Sequence, residues 1–361
     1  MSQGKRKRKK SLGARILAVV GKTILIVIET VLLVALGLYG VMFVLCKGPS
    51  ETARDQFVMS VRETSAIGFL ADFFFTPEEI EAIEAKGNDV YIPPTDTSLV
   101  TIAAKEPEQQ QQQQATGPVA DEWGLIDEDG DGIIVQEVHG SGYSGYMMVV
   151  LDPKRVIMGC VPASFGKHGY TVAEMVEYYN AVAGINAGGF YDPNGQGNGS
   201  IPDSLVVFEG KIYYADLGVR NGFVGFDSNY ILHVGKMSYQ QIVDADIQYG
   251  VCFGPALVVN GEMTDESVLN SGVNPRTAIG QRKDGAVLML VIDGRQVISM
   301  GASFLDLAEI MLRYGAVNAC NLDGGSSSLM WFEGDYINNC ASVIGIRPVP
   351  DTFLVLPEEN G

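Results

Sequence analysis

The sequence predicts an α+β fold: a mixed β-sheet domain with flanking helices, preceded by a single transmembrane helix. Three observations carry that reading. Short apolar runs of strand length, broken by Gly, Asn and Pro turns, recur from residue 133 onward. The few stretches of helical period fall between them without strict alternation, which disfavours a doubly wound sheet. Residues 16–46 are almost wholly apolar and exceed the roughly 20 residues needed to cross a bilayer.

Residues 1–15 form a basic tail centred on Lys5-Arg6-Lys7-Arg8-Lys9-Lys10. With the apolar run beside it, the positive-inside bias predicts a single-pass membrane anchor, the tail cytoplasmic and everything after Lys47 extracytoplasmic. The run is too long for a cleaved signal peptide, and Leu45 before Cys46 is a poor lipoprotein context. Lys22 can snorkel to the interface. Residues 47–104 read as a membrane-proximal helical segment. Within it Ser60 to Phe75 is amphipathic. Thr76-Pro77-Glu78-Glu79 combines a capping Thr, Pro in the first turn and acids, a helix start that runs to about Lys86. Residues 105–120, KEPEQQQQQQATGPVA, are a polar linker with too little apolar surface to fold alone. The main domain is therefore expected over residues 121–361.

Its first element, Asp127-Glu128-Asp129-Gly130-Asp131-Gly132, half-resembles a calcium loop but puts Val138 where the closing Glu belongs. An acidic turn before a strand is the expected reading. Ile133–Val138 and Gly145–Asp152 alternate like a hairpin, and Val156–Val161 follows the Asp152-Pro153 turn. Thr171 with Glu174 is a capping box opening a helix. Ala183-Gly184-Ile185 is a strand leading into Asn186-Ala187-Gly188-Gly189-Phe190. Leu205–Phe208 and Lys211–Ala215 flank a Glu209-Gly210 hairpin turn. Phe223–Phe226, Tyr230–Val234, Val251–Phe253 and Ala256–Val259 read as further strands. Ala286–Ile292 is a strand ending in Asp293-Gly294-Arg295, and Phe304–Tyr314 a helix with Leu305, Leu307, Ala308, Met311 and Leu312 as its stripe. Leu329–Phe332 and Val343–Leu356 close the chain.

Charge excludes some partners. Eight of the 25 Lys and Arg, and none of the 43 Asp and Glu, lie in residues 1–22, which leaves the rest at −26. An acidic body does not suit nucleic acid, which needs a basic face. Three scattered histidines and five cysteines without a C-x-x-C pair do not make a zinc site, and the odd, widely spaced cysteines are no disulfide framework. A single bridge, for example Cys320 with Cys340, stays open. No cofactor is called for.

Three glycine-rich loops carry polar groups of different kinds. Asn186 with Gly188-Gly189 offers an amide and close backbone approach. Asn274-Pro275-Arg276-Thr277 offers a guanidinium, suited to bidentate phosphate binding, and a hydroxyl. Asn321-Leu322-Asp323-Gly324-Gly325-Ser326-Ser327 offers a carboxylate, hydroxyls and backbone N–H groups able to form an anion nest. The plainer alternatives are a turn cap for Asn186, an ion pair for Arg276 and a structural turn for Asp293. A serine hydrolase through Ser326 or Ser327, or a thiol enzyme through Cys320, lacks a partner His in any matching motif. A catalytically silent glycan-binding module is the other class in play.

INAGGF, NPRTAIG, VIDGR and NLDGGSSS, with Ile346-Arg347-Pro348-Val349 beyond them, resemble in order the phosphodiester glycosidase family over roughly residues 121–358. The resemblance implies hydrolysis between a sugar's anomeric carbon and a phosphodiester oxygen. It implies a carbohydrate phosphodiester as substrate and a site of Asn186, Gly188, Gly189, Phe190, Arg276, Thr277, Asp293, Asp323, Gly324, Gly325, Ser326 and Ser327. The family often has Gly where this chain has Ala187. On this reading Arg276 and the Gly324–Ser327 amides hold the phosphate, Asp323 acts at the anomeric carbon and Asp293 is the second carboxylate. An outward-facing anchored enzyme of this kind points to envelope glycans or exopolysaccharide.

Overall fold

The structure, a computed structural model, describes residues 12–64, 67–102, 119–214, 222–342 and 345–358. The glutamine run, the head of the basic tail and residues 343–344 of the last expected strand lie outside them. Contacts divide the chain into Met1–Phe57 and Val58–Gly361. In the first unit, α1 (Leu12–Lys47) contains Val19–Lys47, 29 residues that by length and composition can cross a membrane. A second helix, α2 (Glu51–Arg62), follows.

The second unit begins before the expected linker. After α2 comes α3 (Pro77–Glu84), which starts where Thr76 and Glu79 form the predicted capping box. Residues 88–101 then run along the domain: Lys236 Nζ donates to Asn88 O, the Thr95 hydroxyl accepts from Val234 N–H, and Thr101 N–H donates to Lys283 O.

Among the described residues seventeen strands follow in three sheets. The first holds β1 (Ile133–Gly140), β2 (Tyr143–Val150), β10 (Ala256–Val259), β11 (Glu262–Met263), β12 (Arg276–Arg282), β13 (Val287–Ile292) and β14 (Ala316–Leu322), in the order β1-β2-β13-β12-β14-β10-β11. The second runs β16 (Asp335–Tyr336), β15 (Met330–Phe332), β4 (Ala183–Asn186), β17 (Asp351–Val355), β3 (Val156–Cys160). The third runs β6 (Lys211–Tyr214), β5 (Val206–Phe208), β9 (Ile247–Val251), β7 (Phe223–Asp227), β8 (Leu232–Gly235). The α+β class is borne out, with one refinement: every pairing between these strands is antiparallel. Hairpins such as β1–β2 and β12–β13 account for many of the pairings, and a hairpin can only pair antiparallel.

Met148 and Ile279 from the first sheet, Ile185 and Phe353 from the second, and Val206 and Phe226 from the third share one buried cluster. A helix packs on each remaining face. α6 (Phe304–Arg313) lies over β14 and β10, its Leu307, Ala308 and Met311 in one buried cluster with Leu257, Val258 and Ala319. Leu305, expected in that stripe, is 37% exposed. α4 (Val172–Tyr178), capped by Thr171 and Glu174, covers the second sheet, and α5 (Tyr239–Asp244) the third. Ala278 and Ile279 face opposite ways, as the two-residue period of a strand requires. β12 is therefore buried on both faces, a rigid base for what lies at its N-terminal end.

Candidate active site

β13 and β14 flank β12 antiparallel, so both end beside its first residue. Both end in Asp-Gly, and the two turns close on Pro275 from either side. A Cβ on Gly294 would stand 2.6 Å from Pro275 N, and one on Gly324 would stand 2.8 Å from Pro275 O. Gly325, at φ +62°, donates its N–H to the same Pro275 carbonyl at 2.8 Å. These glycines admit backbone where any side chain would clash.

Asp323 is held by its backbone. Its N–H donates to Ala187 O at 2.9 Å and its carbonyl accepts from Asn186 Nδ2 at 2.7 Å. Asn186 Oδ1 in turn accepts from the Thr277 hydroxyl at 2.8 Å and Leu329 N–H at 3.1 Å. Asn186 and Thr277, both named from sequence as substrate-binding, are fully buried with these bonds made. The structure places them behind the site, as braces. The Asp323 carboxylate reaches the cleft edge but is otherwise enclosed. Loss of water pushes its pKa up to about 7, and the neighbouring Asp203 charge adds to the rise. The Ser327 hydroxyl, Gly324 N–H and Arg347 offset part of it.

The cleft has a volume of about 890 Å³. Phe190, Asp203, Arg276, Arg295, Asp323, the Gly324–Ser327 turn and Arg347 line it, closed on one side by Ser60, Val61, Glu63, Thr64 and Ile67. Arg276 and Asp323 thus open onto one space. Arg276, however, is engaged: its Nη2 meets Glu63 Oε2 and Gly272 O, each at 2.7 Å, Nε donates to Ala302 O, and the guanidinium stacks on Phe304. Arg347 is likewise held by Asp192, bidentate at 2.7 and 2.8 Å, and lies over the Phe190 ring. Arg295 differs. It is exposed to the cleft beside Gly325 and donates only to neutral oxygens, Thr64 Oγ1 and Asn274 Oδ1. Among the described residues no carboxylate lies in ion-pair contact with it; Glu63, already bonded to Arg276, is the nearby negative charge.

Asp293 is not brought to the cleft. It is buried, and its carboxylate accepts from Asn338 Nδ2, Asn339 N–H and Asn339 Nδ2 at 2.8–3.0 Å. That is the structural-turn alternative. Nor is the 324–327 turn an open anion nest: Gly324 N–H goes to the Asp323 carboxylate, Gly325 N–H to Pro275 O and Ser327 N–H to Gly324 O. The Ser326 hydroxyl accepts weakly from Arg347 at 3.3 Å.

Gly188 and Gly189 serve by close approach. Gly188 N–H donates to Asp351 Oδ1 at 2.6 Å, and a Cβ on Gly189 would lie 2.5 Å from Asp203 Oδ2. Asp351 is fully buried, its Oδ2 has no partner, and burial pushes its pKa up to about 7. Sequence reasoning missed Glu63, Asp203, Arg295 and Asp351 as candidates. Arg295 and Arg347 stood inside the recognised motifs; Glu63, Asp203 and Asp351 carried no motif. Elsewhere, Asp127, Asp129 and Asp131 bring their carboxylates within 4.8 Å of one another, their oxygens taken largely by backbone N–H groups of their own turn. Cys320 and Cys340 are free thiols.

The comparisons agree with the motif reading. A family model described as phosphodiester glycosidase matches residues 179–356. The mouse N-acetylglucosamine-1-phosphodiester alpha-N-acetylglucosaminidase is 25% identical over 225 residues, 55% of this chain and 42% of that protein. A prophage-derived uncharacterized protein of Bacillus subtilis, YomE, is 34% identical over 198 residues, 51% of this chain and 29% of its own length. The chain spans less than half the length of these curated relatives. Among solved structures, the zebrafish N-acetylglucosamine-1-phosphodiester alpha-N-acetylglucosaminidase catalytic domain, auto-inhibited by its pro-peptide, shares the fold with a TM-score of 0.53 at 18% identity. That alignment covers 63% of this chain and 82% of the zebrafish one.

Proposed function

We propose, from residues 179–356 as a domain of the phosphodiester glycosidase family, that this cleft hydrolyses glycosyl phosphodiesters. Water cleaves the bond between the anomeric carbon and a phosphodiester oxygen, giving free sugar and a phosphomonoester. The observation that carries this reading is one cleft holding a desolvated carboxylate, Asp323, and a guanidinium with no carboxylate in ion-pair contact among the described residues, Arg295.

The chemistry asks for that pair. As the C–O bond breaks, positive charge grows on the sugar ring and negative charge on the phosphate oxygen. Asp323, ionised, stabilises the first from a site where water does not screen it. Arg295 offers charged donors to the second and so improves the leaving group. A phosphomonoester has a second pKa near 6, so it departs without needing a proton from the protein. Arg276, tied to Glu63, fixes the wall of this pocket.

The apolar helix Val19–Lys47 and the basic residues before it support a membrane-tethered protein with the domain outside the cytoplasm. Its substrates are then glycosyl phosphates of the cell envelope or of exopolysaccharide. The test is to incubate the full-length chain in detergent with a panel of glycosyl-1-phosphodiesters and assay free sugar and phosphomonoester together. Equal release of both supports hydrolysis. Saturable binding without release from any member overturns it in favour of a binding module.

A further inference from the structure

We infer that Asp203 is the second carboxylate of this reaction, the group that takes the proton from the attacking water. The inference rests on the hydrolytic reading above and names a residue that the motifs do not contain.

The loop after β4 acts as a spine for three acids. Ala187 O accepts the Asp323 N–H at 2.9 Å, Gly188 N–H donates to Asp351 Oδ1 at 2.6 Å, and Gly189 O accepts the Asp203 N–H at 3.0 Å. A further backbone bond, Tyr191 N–H to Ile201 O, and a bridge between Phe190 and Pro202 hold the strand carrying Asp203 in register. Asp203 and Asp323 line the same cleft, close enough that the Asp203 charge adds to the rise of the Asp323 pKa, as carboxylate pairs that work on glycosidic bonds require.

Three further observations single out Asp203. It lines the cleft, whereas Asp351 is buried and Asp293 is fully bonded. Its carboxylate has no hydrogen-bond partner among the described residues. Next to it the Phe253 ring also closes on Gly189, and beyond that Asn321, another residue of the cleft lining, donates its Nδ2 to Gly254 O. On this assignment the anomeric carbon sits between Asp203 and Asp323, with the phosphate toward Arg295. Desolvation and the Asp192 charge push the Asp203 pKa up, as suits a base working near neutral pH.

The step balances simply. Water oxygen bonds to the anomeric carbon and one water proton passes to Asp203. The bond that breaks is the one from that carbon to its leaving oxygen, whose electron pair stays with the leaving group. This holds for direct attack on the phosphodiester and for attack on a glycosyl ester of Asp323. The proton then leaves Asp203 to solvent through the cleft.

The test uses the full-length chain with a glycosyl-1-phosphodiester that the wild type turns over. Asp203→Asn should lower kcat by roughly 10²–10⁴ with KM within a few-fold. Azide, which attacks without losing a proton, should restore turnover in this variant and yield glycosyl azide. It should not do so in Asp323→Asn. The melting temperature of Asp203→Asn should match the wild type, because only the backbone of Asp203 is bonded. Should it not fold, Asp203→Glu carries the test: retained activity with a displaced pH profile supports the assignment, and an unchanged profile overturns it. Wild-type-like kcat in Asp203→Asn, or a folded inactive variant that azide does not rescue, overturns this inference alone. A wild type that releases no sugar from any phosphodiester overturns the functional reading and this inference with it.

Discussion

Asp293-Gly294 and Asp323-Gly324 are the same dipeptide at the ends of two strands that flank β12, and both turns pack on Pro275. Their carboxylates have opposite fates. Asp293 accepts three hydrogen bonds in a dry pocket and pins the Asn338-Asn339 turn. Asp323 faces the cleft with its charge poorly solvated. The lesson is that a motif fixes the backbone, while the groups around it decide whether the acid holds structure or does chemistry.

The largest expected effect separates these two acids. Asp323→Asn should reduce sugar release by about 10³-fold or more while the melting curve stays in place. Asp293→Ala should do the reverse. It leaves the Asn338 and Asn339 donors unpaired, costs roughly 1–3 kcal/mol, and spares the turnover of molecules that remain folded. Equal catalytic losses in both would erase the contrast.

The arginines sharpen it. Removing Arg295 should raise KM for phosphodiesters by tenfold or more, about the worth of one charged hydrogen bond, with little change in stability. Arg276→Ala should destabilise by about 3 kcal/mol because Glu63 loses its ion-pair partner. Titrating KM and melting temperature for both variants distinguishes the roles.

The pH dependence follows from the direction of the shifts. Asp323 works ionised, and its pKa is about 7, so the rate should fall as pH drops below about 7. In Asp323→Glu, which places the acid differently, that limb should move.

Asp351 gives the smallest effect. Its folded-state pKa of about 7 lies above an ordinary carboxylate near 4. The folded state therefore favours the protonated form, and stability from this group is lost as pH rises from about 4 to about 7. Asp351→Asn should remove that slope, gaining a few degrees in melting temperature at pH 8 relative to pH 5. An unaltered pH profile of stability would contradict the burial argument.

Much of the framework was legible in the sequence. The β1–β2 hairpin, the Thr76, Thr171 and Glu209-Gly210 signals, and the strand into Asp323 all depend on local pattern, and the structure has them. The sequence points to Val251–Phe253, whereas the strand is Ile247–Val251, because Gln248 and Gly250 interrupt its apolar run. α5 was passed over because six residues are too few to establish a helical period. For the site, the motifs located Asp323 but could not tell it from Asp293, since hydrogen-bond partners from residues 338–339 are a tertiary fact. Glu63 could not be anticipated: it reaches Arg276 across 213 positions of sequence. Asp203 sits in a glycine-rich loop whose register only the paired backbone reveals.

The central claim is that the anomeric carbon, not phosphorus, is attacked. Turnover of a glycosyl-1-phosphodiester by the full-length chain in ¹⁸O-labelled water tests it directly. The label should appear in the released sugar, with none in the phosphomonoester. Label in the phosphomonoester would mean P–O cleavage and would contradict the account.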